Sequence, residues 1–131
     1  TWRSLLWSRL HDGEQAHNMI EGLISYNMLD NLFTSHKIPL QIDGNYGIAA
    51  AMIEMLIQSH SDAIELLPAV CPQWTEGDAR GLKARGNIEV DLAWKDGQVT
   101  SWKLYSPQPR PVKVRVNGKV HTVTPELRTG R

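Results

Sequence analysis

The apolar residues of this 131-residue chain change their spacing near Pro68, from a helical period to a strand period. Before that point they recur at intervals of three and four residues, as on the face of an amphipathic helix. The clearest such stretch comprises Ala16, Met19, Ile20, Leu23 and Ile24. After it, apolar and polar residues alternate from Ile88 to Trp94, which indicates a half-buried strand. The change predicts an α+β chain with antiparallel helices first and a small antiparallel β-sandwich module second.

We expect three helices in the first part. The first begins almost at Thr1, and Asp12-Gly13 then forms a turn in which Asp12 is a candidate N-cap of the second helix. Two helices joined so closely predict an antiparallel helical hairpin. The third helix is expected over residues 46–60, and its almost wholly apolar surface predicts burial between neighbouring helices. Because the remaining sequence supplies too few helices to surround it, we expect a piece of a longer polypeptide.

The second part predicts four or five strands. Asp96-Gly97 and Asn117-Gly118 are strong signals for two-residue hairpin turns, and each lies between alternating stretches. The expected strands cover residues 64–67, 88–94, 99–105, 112–116 and 120–123. We place the division between the helical part and the β module at residues 62 and 63.

Charge and composition exclude several functions. Fourteen Lys and Arg residues balance fourteen Asp and Glu residues, so the basic excess expected of a nucleic-acid binder is missing. The sequence contains no apolar run of about 20 residues, the length that spans a membrane. A single cysteine, Cys71, excludes a disulfide framework, and no metal or cofactor motif is present. Five of the nine aromatic residues are Trp, which suits either sugar stacking or core packing.

Polar residues with chemical potential are concentrated before the third helix. His36, Gln41, Asp43 and Asn45 lie within ten positions of one another. A carboxylate at the start of a helix is favoured in its ionised form, which suits a general base or an orienting group. The alternative is structural: Asp43 or Asn45 caps the helix, and Gly44 makes the turn.

Two long stretches resemble a known family. They are NLFTSHKIPLQIDGNYGIAAAMIEMLIQSH, residues 31–60, and IELLPAVCPQWTEGDARGLKARGNIEVDLAWKDGQV, residues 64–99. Both are similar to the C-terminal portion of glycoside hydrolase family 95, the inverting α-L-fucosidases. The family pattern contains Gln-Ile-Asp-Gly-Asn before a helix of small residues, then Leu-Leu-Pro-Ala-Leu-Pro-x-x-Trp. The opening WRSLLWSRLHDGEQA also matches.

The resemblance implies a fold and a set of site residues. Residues 1–62 would be the last helices of an (α/α)6 catalytic barrel, and residues 63–131 a C-terminal β domain. Asp43 would be catalytic, polarising a pair of Asn side chains that position the attacking water. His36, Gln41 and Asn45 would bind substrate, although the spacing after His36 departs by one residue from the family's His-Pro-Pro-Phe-Gln. The general acid Glu and the Asn pair would precede Thr1.

The implied activity is removal of terminal α-L-fucosyl residues from oligosaccharides with inversion, without a cofactor or a metal. The implied partners are a fucosylated oligosaccharide and the preceding part of the same polypeptide, without which we expect the chain to be inactive. A secreted, periplasmic or cell-surface location is compatible with this activity. One alternative is an α-L-galactosidase of the same family. Another is a non-catalytic carbohydrate-binding or structural module that uses Trp74, Trp94 or Trp102.

Overall fold

A computed structural model describes residues 1–35 and 40–128. It divides the chain into a helical unit, residues 1–55 with 69–71, and a β unit formed by the rest. The helices are α1 (Trp2–Arg9), α2 (Gly13–Asn27) and α3 (Ile42–Leu56). The strands are β1 (Ile57–Gln58), β2 (Ile64–Leu66), β3 (Glu76–Ala84), β4 (Ile88–Lys95), β5 (Gln98–Ser106), β6 (Val112–Val116), β7 (Lys119–Val123) and β8 (Glu126–Leu127). The predicted α+β class is confirmed.

The first two helices form the expected hairpin, but they meet through small side chains. Ser4 and Ser8 are fully buried, and the Ser4 hydroxyl donates to the Ala16 carbonyl at 2.8 Å. Trp2, on the apolar side of α1, is 72% exposed. The predicted N-cap is confirmed, since the Gln15 amide donates to Asp12 Oδ1 at 2.9 Å. The close approach of α1 and α2 therefore leaves most of the apolar face of α1 in solvent.

The third helix corrects the sequence prediction at both ends. It begins at Ile42 and ends at Leu56, instead of covering residues 46–60. A hydrogen bond from the Gly44 amide to the Gln41 carbonyl, 3.0 Å long, opens the helix early. It stops early because Ile57 and Gln58 pair with β2, which commits the backbone to a sheet. No local pattern signals that pairing.

Only one side of α3 is buried within the helical unit. Its buried positions follow one another at helical spacing: Gly44, Ile48, Ala51 and Met55. The opposite side includes the exposed residues Ile42, Tyr46, Ala49, Ala50 and Ile53. In the described part of the chain α3 is therefore not enclosed by neighbours, as expected of a helix for which this sequence supplies too few partners.

An ion pair joins the first helix to the third. Arg9 donates from Nε and a terminal nitrogen to the two Glu54 oxygens, at 2.6 and 2.9 Å. The hydrogen bonds that Arg9 donates to Glu54 raise the pKa of the Arg9 guanidinium above its ordinary value. Glu54 thus has a structural partner within its own unit.

The β unit contains two four-stranded sheets. Their strand orders are β1-β2-β6-β7 and β3-β4-β5-β8, and the two parallel pairs are β2 with β6 and β5 with β8. The remaining pairs are antiparallel. Alternate residues of both sheets are buried, as in a small β-sandwich. Among them are Ile64, Leu66, Val90, Leu92, Leu104, Val114 and Val116.

Both predicted hairpin turns are confirmed. Asp96 and Gly97 have φ angles of 50° and 72°, and Asn117 and Gly118 have 48° and 77°, as two-residue type I′ turns require. The Asn117 amide group also links the two sheets. It accepts from the Val99 amide at 2.9 Å and donates to the Val99 carbonyl at 3.0 Å.

The structure contains more strands than the four or five predicted. Eight are present in the described residues, and the longest one missed is β3, whose sequence EGDARGLKA has no clear alternation. It lies at the edge of its sheet, and its register with β4 shifts between Ala79 and Leu82. Three others, β1, β8 and β2, have only two or three residues. Of these, the sequence predicted β2 alone.

The Trp residues of the β unit serve packing. Trp94 is buried, and its indole nitrogen donates to the Trp74 carbonyl at 2.9 Å. Trp102 faces His121 across the sheets, with ring centroids 6.2 Å apart. Among the helices described, none has the length and apolar character needed to cross a bilayer.

Candidate functional site at the start of the third helix

The structure describes three of the four predicted site residues, all at the beginning of α3. Gln41 precedes the helix, Asp43 lies in its first turn, and Asn45 follows one position after Gly44. The side chains of Gln41 and Asp43 are exposed, whereas Asn45 is half-buried. His36 lies outside the described residues.

The segment between α2 and α3 folds back on itself. After α2, the Leu29 amide donates to the Phe33 carbonyl and the Ser35 amide to the Asn27 carbonyl, both at 2.8 Å. Asn31 Oδ1 accepts from the Phe33 amide at 3.1 Å. These bonds form a tight turn that delivers Thr34 to the start of α3.

Thr34 makes most of the hydrogen bonds that connect this segment to the start of α3. It is 1% exposed, and its carbonyl accepts from the Gln41 amide at 2.9 Å. Its own amide donates to Asn45 Oδ1 at 2.8 Å. Its hydroxyl lies 3.0 Å from Asn45 Oδ1 and within hydrogen-bond distance of the Gln41 carbonyl. Because a hydroxyl has one proton, it donates to one of these acceptors at a time.

Gly44 is required here because of close packing. A Cβ atom at this position would lie 2.8 Å from Thr34 Cβ and would also collide with the Thr34 hydroxyl oxygen. The absence of a side chain thus lets the helix start rest directly on Thr34. The structural alternative from the sequence, a turn at Gly44 with Asp43 or Asn45 as the cap, is therefore corrected: all three residues lie inside α3, and contact with Thr34 is what requires glycine.

Asn45 makes its described hydrogen bonds away from the helix backbone. Besides accepting from Thr34, its amide nitrogen donates to the Leu32 carbonyl at 2.7 Å. It therefore ties two residues of the preceding turn to α3. Sequence reasoning did not identify Leu32 or Thr34, because no spacing rule signals a contact across 11 to 13 residues.

Asp43 occupies the position expected of an orienting carboxylate. It lies in the first turn of α3, and its side chain is exposed. Its neighbours Ile42 and Tyr46 are 43% and 74% exposed. A carboxylate held on a rigid helix beside apolar surface can accept hydrogen bonds from an amide group or a water molecule. In the described residues, no group of three His, Cys, Asp or Glu side chains could hold a metal ion.

Comparison with known proteins connects both units to one family. Residues 1–56 match the glycosyl hydrolase family 95 catalytic domain, and residues 58–129 match the glycoside hydrolase family 95 C-terminal domain. The two matches together cover nearly the whole chain.

Curated relatives agree with these matches. An Arabidopsis thaliana protein named alpha-L-fucosidase 2 is 38% identical over 120 residues, which cover 82% of this chain and 14% of the relative. Proteins named probable alpha-fucosidase A from Aspergillus niger and Aspergillus oryzae are 34% and 32% identical over 111 and 109 residues. Those alignments cover 75% and 71% of this chain, and 14% and 15% of the relatives. With domain models matched in sequence order along almost its full length, the chain belongs to glycoside hydrolase family 95.

Proposed function

We propose that this chain acts within a longer polypeptide that hydrolyses terminal α-L-fucosyl linkages of oligosaccharides with inversion. The observation that carries the proposal is Asp43, an exposed carboxylate in the first turn of α3, inside the stretch that matches the family's catalytic domain. The fucosidase names of the relatives support the substrate class.

Asp43 would act on the water side of the reaction. An inverting glycosidase places an acid on one side of the sugar and a base on the other, about 6.5–9.5 Å apart, which leaves room for a water molecule. One segment can therefore contribute the base side alone. In this proposal Asp43 polarises two Asn side chains from the preceding part of the polypeptide, and these position the water. The general acid, a Glu, also comes from that part.

The predicted substrate contacts of His36 and Gln41 belong to the same proposal, whereas the substrate contact predicted for Asn45 is an alternative to the hydrogen bonds that its side chain makes with Thr34 and Leu32. The side chains of Gln41 and Asp43 are both exposed, so both are accessible to a substrate. The division of the polypeptide into a barrel portion, residues 1–62, and a β domain, residues 63–131, likewise remains a prediction.

The exposed apolar side of the helices supports a longer catalytic domain. Trp2 is 72% and Tyr46 is 74% exposed, and large apolar patches on a protein surface commonly mark interfaces. The chain spans about one seventh of the length of its curated relatives. We propose that the preceding part of the polypeptide covers these helices and completes the site.

Replacing Asp43 in the longer polypeptide tests the role of this residue. Asp43→Asn should lower kcat by on the order of 10²–10⁴-fold, the usual contribution of a positioned acid–base group. Asp30→Asn is the matched control, because Asp30 is an exposed carboxylate in the turn before α3. Near-wild-type kcat in Asp43→Asn, with Asp30→Asn also unaffected, would refute the assignment.

The stereochemistry and the need for the preceding part are tested separately. The first sugar released from an α-L-fucoside should be β-L-fucose, as followed by NMR before mutarotation; initial release of the α anomer would contradict inversion.

The 131-residue chain alone should release no fucose. Turnover by the purified chain would show that the acid lies within it.

The two alternatives receive less support. An α-L-galactosidase differs in accepting a hydroxyl at C6 of the sugar, and comparing kcat/KM for the two α-L-glycosides decides between them. A carbohydrate-binding module that uses Trp74, Trp94 or Trp102 would need their faces exposed, but Trp94 is buried and the other two are half-buried. The β unit contains a cavity of about 730 Å³ whose lining includes the Tyr105 ring. The Arg128 guanidinium carbon lies 4.1 Å from the centroid of that ring and covers its face.

A further inference from the structure

We propose that Asn45 and Thr34 form a positioning clamp that sets the orientation of the α3 start, and with it Asp43, during turnover. The proposal rests on the proposed function of Asp43. It assigns to Asn45 a role through the backbone rather than the substrate contact that the family resemblance implies.

The side-chain amide of Asn45 both accepts and donates a hydrogen bond. Its oxygen accepts from the Thr34 amide at 2.8 Å, and its nitrogen donates to the Leu32 carbonyl at 2.7 Å. The Asn side chain has an acceptor oxygen and a donor amide group, and here each is used by a different residue of the turn. Asn45 therefore joins the turn before α3 to the helix at two points, Leu32 and Thr34.

Thr34 also bonds to Gln41, two residues before Asp43. The Gln41 amide donates to the Thr34 carbonyl at 2.9 Å, and the Gln41 carbonyl accepts from the Gly44 amide at 3.0 Å. The Thr34 hydroxyl is within hydrogen-bond distance of the same carbonyl. In the sequence, Asp43 therefore lies between Gln41 and Asn45, and both of these residues bond to Thr34.

One residue bound by the clamp, Leu32, has a strained backbone conformation. Leu32 has a φ angle of 66°, in the left-handed region that residues with a Cβ rarely adopt. Its side chain is 69% exposed, so burial of that side chain does not explain the conformation. The hydrogen bond from Asn45 to the Leu32 carbonyl stabilises it directly. Strain of this kind persists where surrounding contacts over-determine the backbone, as happens around functional groups.

Kinetics of the longer polypeptide test the clamp with an α-L-fucoside as substrate. Asn45→Ala should lower kcat by on the order of 10-fold to 10²-fold with KM within about twofold, since small misplacements of a reacting group cost up to about that much. Asn31→Ala is the matched control. It removes a hydrogen bond to Phe33 inside the same turn but leaves the bonds to α3 intact.

Thr34 supplies a second pair of variants that does not depend on Asn45. Thr34→Val keeps the shape but removes the hydroxyl, and should reduce kcat; Thr34→Ser keeps the hydroxyl, and should retain most of it. Because Thr34 is buried, the unfolding midpoint of each variant is measured beside its kinetics. A purely structural role would lower the midpoint and leave the kcat of the folded protein unchanged.

The outcomes are distinct. A raised KM with unchanged kcat in Asn45→Ala would overturn the clamp and favour direct substrate contact. Equal kcat in the Asn45→Ala and Asn31→Ala variants would also overturn it.

If the wild-type polypeptide releases no fucose, the proposed function fails, and hydrogen exchange of the Thr34 amide in the 131-residue chain decides the clamp. Faster exchange in Asn45→Ala than in Asn31→Ala supports it, and equal rates refute it.

Discussion

The helical unit and the β unit differ in how much of their apolar surface they bury. Of the large apolar side chains exposed in the described residues, only Val120 and Leu127 belong to the β unit. Twelve belong to the helical unit: Trp2, Leu6, Leu10, Ile24, Tyr26, Leu29, Leu32, Phe33, Leu40, Ile42, Tyr46 and Ile53. The β unit completes a core from its own residues, and the helical unit does not.

The difference follows from the geometry of the two elements. A strand alternates its side chains between two faces, so two sheets can bury one face each and leave the other in water. In the β unit, β4 follows this rule with Ile88, Val90, Leu92 and Trp94 buried. A helix with apolar residues on most sides needs neighbours all around it. Within its unit, α3 buries only the side that carries Ile48 and Met55.

Matched Trp substitutions should give the largest contrast. Trp94→Ala should lower the free energy of unfolding of the β unit by about 3–5 kcal/mol, because it empties a buried site and removes the indole hydrogen bond. Trp2→Ala should change the stability of this chain by within about 0.5 kcal/mol, because Trp2 is 72% exposed. Urea unfolding monitored by circular dichroism measures both. Similar losses in the two variants would contradict the comparison.

The same Trp2→Ala change should cost more in a longer polypeptide. If the preceding part covers α1, Trp2 becomes buried there, and its removal should lower stability by an amount approaching that for Trp94. Unfolding of the longer protein with and without the substitution measures this. An equally small effect in both contexts would show that Trp2 stays in solvent.

A buried and an exposed position on α3 sharpen the comparison within one helix. Met55→Ala should destabilise the helical unit by about 2–5 kcal/mol, since Met55 is fully buried. Ile53→Ala should have a much smaller effect in this chain, because Ile53 is 45% exposed. Urea unfolding of the two variants tests the pair. The reverse order would mean that the buried side of α3 has been wrongly assigned.

Loss of the α2 cap should have a smaller effect. Asp12→Ala removes the bond from the Gln15 amide and should cost the helical unit about 1 kcal/mol. Amide exchange of Gln15, measured by NMR, should accelerate, whereas exchange in β4 should not change. Asp30→Ala serves as the control, since its side chain is exposed outside the helices. Unchanged Gln15 exchange in Asp12→Ala would argue against the cap.

The smallest effect concerns an exposed ion pair of the β unit. The hydrogen bond from Lys113 lowers the pKa of Asp62 below its ordinary value of 3.8. A lowered carboxyl pKa adds stability above the ordinary value, and that stability is lost as the pH falls through the lowered value. Asp62→Asn should therefore slightly lower the thermal midpoint at neutral pH, and the two proteins should converge in acid. A gap that persists in strong acid would contradict this origin.

The local features of both units could be predicted from the sequence. Alternation identified β4 to β7, the Asp-Gly and Asn-Gly pairs identified both hairpin turns, and Asp12 was recognised as a cap. Each of these depends on residues close together in the chain. The Gln-Ile-Asp-Gly-Asn stretch likewise placed Asp43 at the start of a helix and indicated the family.

Only the tertiary structure decided where distant segments meet. Strand pairing ended α3 at Leu56, and the parallel pairs join strands that are far apart in sequence. The burial of Ser4, the exposure of Trp2 and the contact of Thr34 with Asn45 also join residues that no period relates. Hydrophobic periodicity reports which side of an element avoids water, but the partner that covers that side is set by packing between elements. The sequence therefore determined the three helices, five of the eight strands described and the placement of Asp43 where α3 begins, and the tertiary structure decided the remaining strands, the ends of the elements and the segments that pair.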